Sequence, residues 1–131
     1  MKLTRKLTFI VALAAAAVKG DITCGTAGDA TLSSCQGLLA SSFTNLNYGR
    51  TCSFGLGNTA FNPICAPDNC CIHVTVNDLS DQVVHDLASD IVNACAAPAV
   101  DRVNGRNSLD TTGSVAVCVS DGAGCGDCFE D

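Results

Sequence analysis

The chain has no tryptophan and a single tyrosine, which excludes a core built mainly on large aromatic rings. Lysine is absent after residue 20. From there on only Arg50, Arg102 and Arg106 stand against thirteen carboxylates, a formal net charge of −10 for residues 21–131. Such a surface repels phosphate backbones and anionic headgroups, so no nucleic acid and no bare membrane surface is expected as a partner. Acidity of this kind also suits a domain that stays soluble outside a cell. No Asn-x-Ser/Thr acceptor occurs, so N-glycosylation is not expected. No run after residue 20 is long and apolar enough to cross a bilayer, and no apolar C-terminal tail offers a glycolipid anchor signal, so no membrane anchor is expected.

What is present begins with a leader. Lys2, Arg5 and Lys6 precede an apolar run from Leu7 to Val18, the layout of a secretory signal peptide and too short for a transmembrane helix. Small residues at Val18 and Gly20 place cleavage before Asp21. Residues 1–20 are therefore read as export signal and residues 21–131 as one cysteine-rich domain, secreted and extracellular, with no internal repeat or linker. All ten cysteines, Cys24, Cys35, Cys52, Cys65, Cys70, Cys71, Cys95, Cys118, Cys125 and Cys128, follow the leader. An even number behind an export signal implies five disulfides, with a connectivity that spacing leaves open.

Two helices are expected. Asp29 is placed to cap an amphipathic segment over about residues 30–43, with Leu32, Cys35, Leu39 and Phe43 on one face. A longer helix starts at a cap on Asn77 or Asp78 and carries Leu79, Val83, Leu87, Ile91 and Cys95 inward, stopping before Pro98. Strands are expected at 50–56, at 71–76 and at 114–120, where valines and isoleucines alternate with smaller or polar residues, and an edge strand or hairpin around Asn104-Gly105 within 100–109. These elements predict a small disulfide-rich α+β two-layer sandwich, two helices packed on one face of a mainly antiparallel sheet. The strand near 102–109 is also a candidate for edge pairing between two copies, although a monomer is the expectation.

Candidate chemistry is sparse. Cys125-x-x-Cys128 resembles a redox centre or half a zinc site, yet it lies in a Gly-flanked acidic tail without a second such pair, so structural disulfides are the stronger reading. Neighbours Cys70 and Cys71 point to opposite faces of a strand and are expected to bond to different partners. His73 and His85 are the only residues that titrate near neutral pH. Both are expected to face solvent, His85 beside Asp81 and Asp86 as a weak cation patch. The Asp-rich stretches lack the spacing that gathers oxygens around calcium. No catalytic residue, cofactor or metal site is assigned, and an apolar patch around Phe43, Phe54 or Phe61 would mark a partner surface.

The cysteine contexts Ser34-Cys35-Gln36, Gly49-Arg50-Thr51-Cys52-Ser53-Phe54-Gly55, Val74-Thr75-Val76-Asn77-Asp78-Leu79 and Val115 to Cys118 resemble, in that order, the fungal secreted necrosis-inducing effector family, which is similar in turn to the killer toxins of smut fungi. The resemblance spans about residues 24–120. It implies a βαββαβ-like two-layer sandwich and a role against host or competitor cells, through an unknown protein or cell-surface target. Cys70-Cys71, Cys125, Cys128 and the acidic tail are additions to that pattern, Val76 replaces an expected glycine, and no family active-site residue carries over. Alternatives are an extracellular wall-associated protein without toxic activity, or a small secreted hydrolase.

Overall fold

Residues whose side chains alternate between apolar and small or polar form the centre of the molecule, as a computed structural model that describes residues 20–122 and 125–129 shows. The signal-peptide reading of residues 1–19 lies outside the described residues. In chain order the elements are β1 (Asp21–Cys24), β2 (Ala30–Thr31), α1 (Leu32–Leu39), β3 (Thr51–Phe54), β4 (Asn58–Ala66), β5 (Cys70–Val74), α2 (Asp81–Cys95), a 3-10 turn (Pro98–Val100), β6 (Arg102–Val103), β7 (Gly105–Ser108) and β8 (Ala116–Ser120). Six strands form one sheet in the order β1-β7-β8-β5-β4-β3, with every pair antiparallel, and β2 pairs with β6 apart from it.

Both helices lie on one face of the sheet. α2 packs over β1, β7 and β8, while α1 packs over β4 and β5 and against α2. Ile72, Val74, Val117 and Val119 point into this layer and meet Val84, Leu87, Ala88 and Ile91, all completely buried. The expected α+β sandwich is therefore present. Buried Asn107 adds one polar tie, donating from Nδ2 to the Leu87 carbonyl at 3.2 Å.

The helix ends differ from expectation. α2 is capped not by Asn77 or Asp78 but by Ser80, whose Oγ accepts from the Val83 amide at 3.2 Å. Its inward stripe also turns: Leu87 and Ile91 are central, but Val84, Ala88 and Val92 complete it, while Leu79, Val83 and Cys95 lie at its half-buried margin. The stripe turns because the sheet beneath it continues to β1 on one side, so more than one row of the helix is covered. Replacing Ser80 by Ala should lower stability by about 1 kcal/mol, read as a shift in urea midpoint at unchanged slope.

α1 is shorter than expected and is not capped by Asp29. Residues 30 and 31 pair with β6 instead, and Asp29 accepts from the Asn104 side-chain amide. The first turn of α1 takes its partner from far along the chain: Asp101, in left-handed backbone at φ 54°, accepts from the Ser33 amide at 2.9 Å and the Ser33 hydroxyl at 3.0 Å. A carboxylate there also favours the positive helix N-terminus.

Three strands have no counterpart in the sequence reading: β1, β4 and the two-residue β2, which lies where a helix was expected. β1 is short and polar, and β4, the longest, carries Pro63 beside a register shift between Phe61 and Ile64. A bulge tolerates proline where a regular ladder does not. The segment at 100–109 is not one hairpin: β6 pairs with β2 in the two-stranded sheet, and β7 is an inner strand of the large sheet, hydrogen-bonded by β1 on one side and β8 on the other.

The cysteines pair as Cys24–Cys95, Cys35–Cys70, Cys52–Cys125, Cys65–Cys71 and Cys118–Cys128. As expected, Cys70 and Cys71 take different partners. Cys70 bonds to α1 across the core, and Cys71 bonds to the residue opposite it on β4.

Cys125 and Cys128 hold the C-terminal segment against the sheet face away from the helices. There Phe129 and Cys128 pack with Ala60, Ala116 and Cys118, all within a second buried cluster. Alanine at 60 and 116 leaves the room that the Phe129 ring fills. The tail thus forms a partial third layer, and the sheet face it leaves open ends in a cleft.

Candidate functional site

The two histidines are the natural place to look for proton chemistry, and neither faces solvent as expected. His73, on β5, is 0% exposed. The bulge in β4 turns Asn62 toward it: Asn62 Nδ2 lies 3.1 Å from His73 Nδ1, and His73 Nε2 lies 3.3 Å from the Asp121 carbonyl. The carbonyl can only accept, so Nε2 carries the proton and Nδ1 accepts from the Asn62 amide. A neutral ring satisfies both contacts. Burial pushes the His73 pKa below its usual 6.5, opposed by the Asp121 carbonyl and carboxylate and aided by Arg50. His73 fell on the polar side of its strand in the sequence; Asn62 and Asp121 meet its ring there.

His85 is half-buried on α2 and joins the two helices. Its Nε2 lies 2.8 Å from the Leu39 carbonyl at the end of α1, its Nδ1 lies 3.2 Å from Asp86 Oδ1, and its ring meets Phe43 edge-on at 4.9 Å between centroids. A histidine at a helix C-terminus answers a carbonyl left without a partner. Among the described residues, Asp81, His85 and Asp86 do not form a group placed to hold a metal ion. Phe43 is buried with its ring against His85, and Phe54 and Phe61 are half-buried.

The depressed His73 pKa has a measurable consequence. The unfolded chain takes up a proton near pH 6.5 that the folded ring resists, so stability is full above that pH and falls as pH drops through 6.5 toward the lower folded value. The urea midpoint should decline between about pH 7 and 5.5 in the wild type, above the range where carboxylates titrate, and decline less in His73→Gln.

Cys125 and Cys128 are not bonded to each other. Each is joined to a sheet cysteine, Cys52 or Cys118, so the Cys-x-x-Cys spacing forms neither a redox pair nor half a zinc site. Each sits where the tail passes a different strand, and this crossing, not the spacing between them, sets their positions.

A cleft of about 850 Å³ lies at one end of the sheet. The start of β1 gives Asp21 and Thr23, the end of β7 gives Arg106 and Ser108, and the β7–β8 loop gives residues 110–114. Phe54, Asn58 and Phe129 close the far side, with the two phenyl rings 5.5 Å apart between centroids. The loop is built around Asp110. Its carboxylate accepts from the Ser114 hydroxyl at 2.8 Å, the Thr112 hydroxyl at 3.1 Å and the Val115 amide at 3.4 Å. These bonds, led by that from Ser114, hold the Asp110 carboxyl below the usual carboxylate range. Arg106 donates to the Cys128 carbonyl at 3.4 Å, tying the cleft floor to the tail.

No sequence signal singled out this cleft. Its lining is threonine, serine and aspartate from five separate segments, residue types that read as ordinary polar surface until the sheet order gathers them.

The fold and its cross-links define a class: a small antiparallel α+β protein stapled by five disulfides. Comparison with family models, curated proteins and solved structures finds no match in any of the three. Among the described residues, no helix is long and apolar enough to cross a membrane.

Proposed function

We propose that this is a secreted, effector-like protein that acts by binding a target at the surface of a host or competitor cell, without catalysis. The observation that carries this reading is the commitment of both histidines: His73 is fully buried between Asn62 and the Asp121 carbonyl, and His85 is locked between the helices. The cleft gathers hydroxyls and carboxylates around a rigid floor but brings neither imidazole to a nucleophile, the arrangement that hydrolysis by a serine or cysteine would need. The full pairing of the cysteines supports an oxidising, extracellular destination. The order of cysteine contexts shared with the necrosis-inducing effector family supports the same destination and the same kind of target.

The test is saturable binding. Labelled, disulfide-intact protein should be retained by intact fungal or plant cells and displaced by unlabelled protein, with no turnover of ester, peptide or glycoside substrates. Turnover that survives rigorous purification would move the protein to the hydrolases, and absence of retention on every cell type tried would remove the binding reading.

A further inference from the structure

The chemistry of the cleft narrows what it can hold. Its volume of about 850 Å³ falls in the range of ligand sites, but such sites are mostly apolar and this one is not. An apolar ligand would strand the wall hydroxyls without partners. An anion fares no better: Asp21 and Asp110 face it, Arg106 already serves the Cys128 carbonyl, and the α-amino group that cleavage before Asp21 would leave stands beside the carboxylate of Asp21 itself. What remains is an uncharged ligand that both donates and accepts hydrogen bonds.

The walls supply matching groups. Thr23, Ser108 and Thr111 carry side-chain hydroxyls with no partner among the described residues. Asn58 offers a side-chain amide and Asp21 an exposed carboxylate. Thr75, by contrast, is committed, donating to the Ser114 carbonyl at 2.8 Å and accepting from the Ala116 amide at 2.9 Å. Thr112 and Ser114 are likewise turned onto Asp110, which fixes the loop instead of leaving it free to fold into the space. Phe54 is half-buried with Phe129 behind it, a firmly backed ring at the cleft's edge. Hydroxyl, amide and carboxylate groups around one supported aromatic ring are complementary to a pyranose. Its ring hydroxyls both donate and accept, and its axial C–H face packs on a phenyl ring.

We propose that the cleft binds a neutral oligosaccharide, a segment of a cell-wall polysaccharide chain. The proposal rests on the extracellular binding reading above and names the chemistry of its target. Thr23, Ser108, Thr111 and Asn58 make the hydrogen bonds, Asp21 accepts from a sugar hydroxyl, and Phe54 packs on a sugar face.

The test is titration of the nitrogen-15-labelled, disulfide-intact protein with chitohexaose, laminarihexaose and cellohexaose. At least one should shift amide resonances at residues 21–23, 58–59 and 106–114 while leaving the α1–α2 face unmoved. The double variant Thr23→Val, Thr111→Val keeps side-chain shape on exposed positions. Its affinity should fall by about tenfold, with an otherwise superimposable spectrum establishing that it folds. The same pair of proteins should be applied to intact cells. If cells retain both equally and no oligosaccharide shifts the cleft, the oligosaccharide proposal is overturned and the extracellular binding reading stands. If neither cells nor oligosaccharides retain the wild type, both fall.

Discussion

Reduction of the disulfides is expected to unfold the protein completely at room temperature. The two widest bridges, Cys24–Cys95 and Cys52–Cys125, span 71 and 73 residues. Each of them removes roughly 4 kcal/mol of chain entropy from the unfolded state. Cys35–Cys70 spans 35 residues and contributes only a little less, whereas Cys118–Cys128 and Cys65–Cys71 span 10 and 6. A domain of this size has a net stability of about 5–15 kcal/mol, so loss of all five exceeds what the core can supply. Far-UV circular dichroism and amide dispersion in a proton spectrum should both collapse on treatment with a phosphine reductant. Retention of dispersed resonances in fully reduced protein would mean that packing of α2 on the sheet suffices alone. Pairwise alanine replacement should rank the bridges: Cys24 with Cys95 and Cys52 with Cys125 the most destabilising, Cys65 with Cys71 the least.

A single methyl group at residue 105 should be nearly as damaging as losing a bridge. Gly105 begins β7 directly under α2, and a Cβ there would stand 2.8 Å from Cys95 Sγ, 3.0 Å from Ile91 Cγ2 and 3.1 Å from the Thr23 carbonyl. None of these neighbours yields easily. Cys95 is tied to Cys24, Ile91 is at the centre of the core, and Thr23 pairs with β7 itself. Overpacking of this kind costs about 1–3 kcal/mol, and here helix, disulfide and strand must move together, so Gly105→Ala should fall near 3. The check is the urea midpoint against Gly37→Ala, a glycine on α1 with no atom within 4 Å of an added Cβ. That control should be neutral or stabilising, because alanine favours a helix.

The architecture could be read from the sequence where burial leaves a period. Leu87 and Ile91 four residues apart, and the alternating valines of β8, announce a helix and a strand because one face of each meets the core. β4 gives no such signal. Its bulge at Asn62-Pro63 breaks the alternation and places a proline where a ladder strand would exclude one. The caps misled for a related reason. Asp29 and Asp78 each lie two residues ahead of the cap position, α2 being capped by Ser80 immediately before it, while α1 is served by Asp101, 68 residues from Ser33, and no local pattern encodes a partner that distant. His73 escaped because its strand shows a polar side, and only the bulged β4, which brings Asn62, and the segment after β8, which brings Asp121, meet its ring there. The cleft was illegible for the same cause, since it exists only once β1 and β7 are neighbours.

The nesting of the bridges also sets an order in time. In a chain that emerges N-terminus first, Cys35–Cys70 and Cys65–Cys71 can close before any of α2 has appeared. Cys24 must wait for Cys95, and Cys52 waits for Cys125. These two thiols therefore stay unpaired while 71 and 73 further residues, respectively, are made, in the company of the cysteines that emerge in that interval. Wrong pairings formed in that interval have to be undone by thiol exchange, so the yield of native protein depends on the disulfide isomerase capacity of the producing cell as much as on the sequence itself.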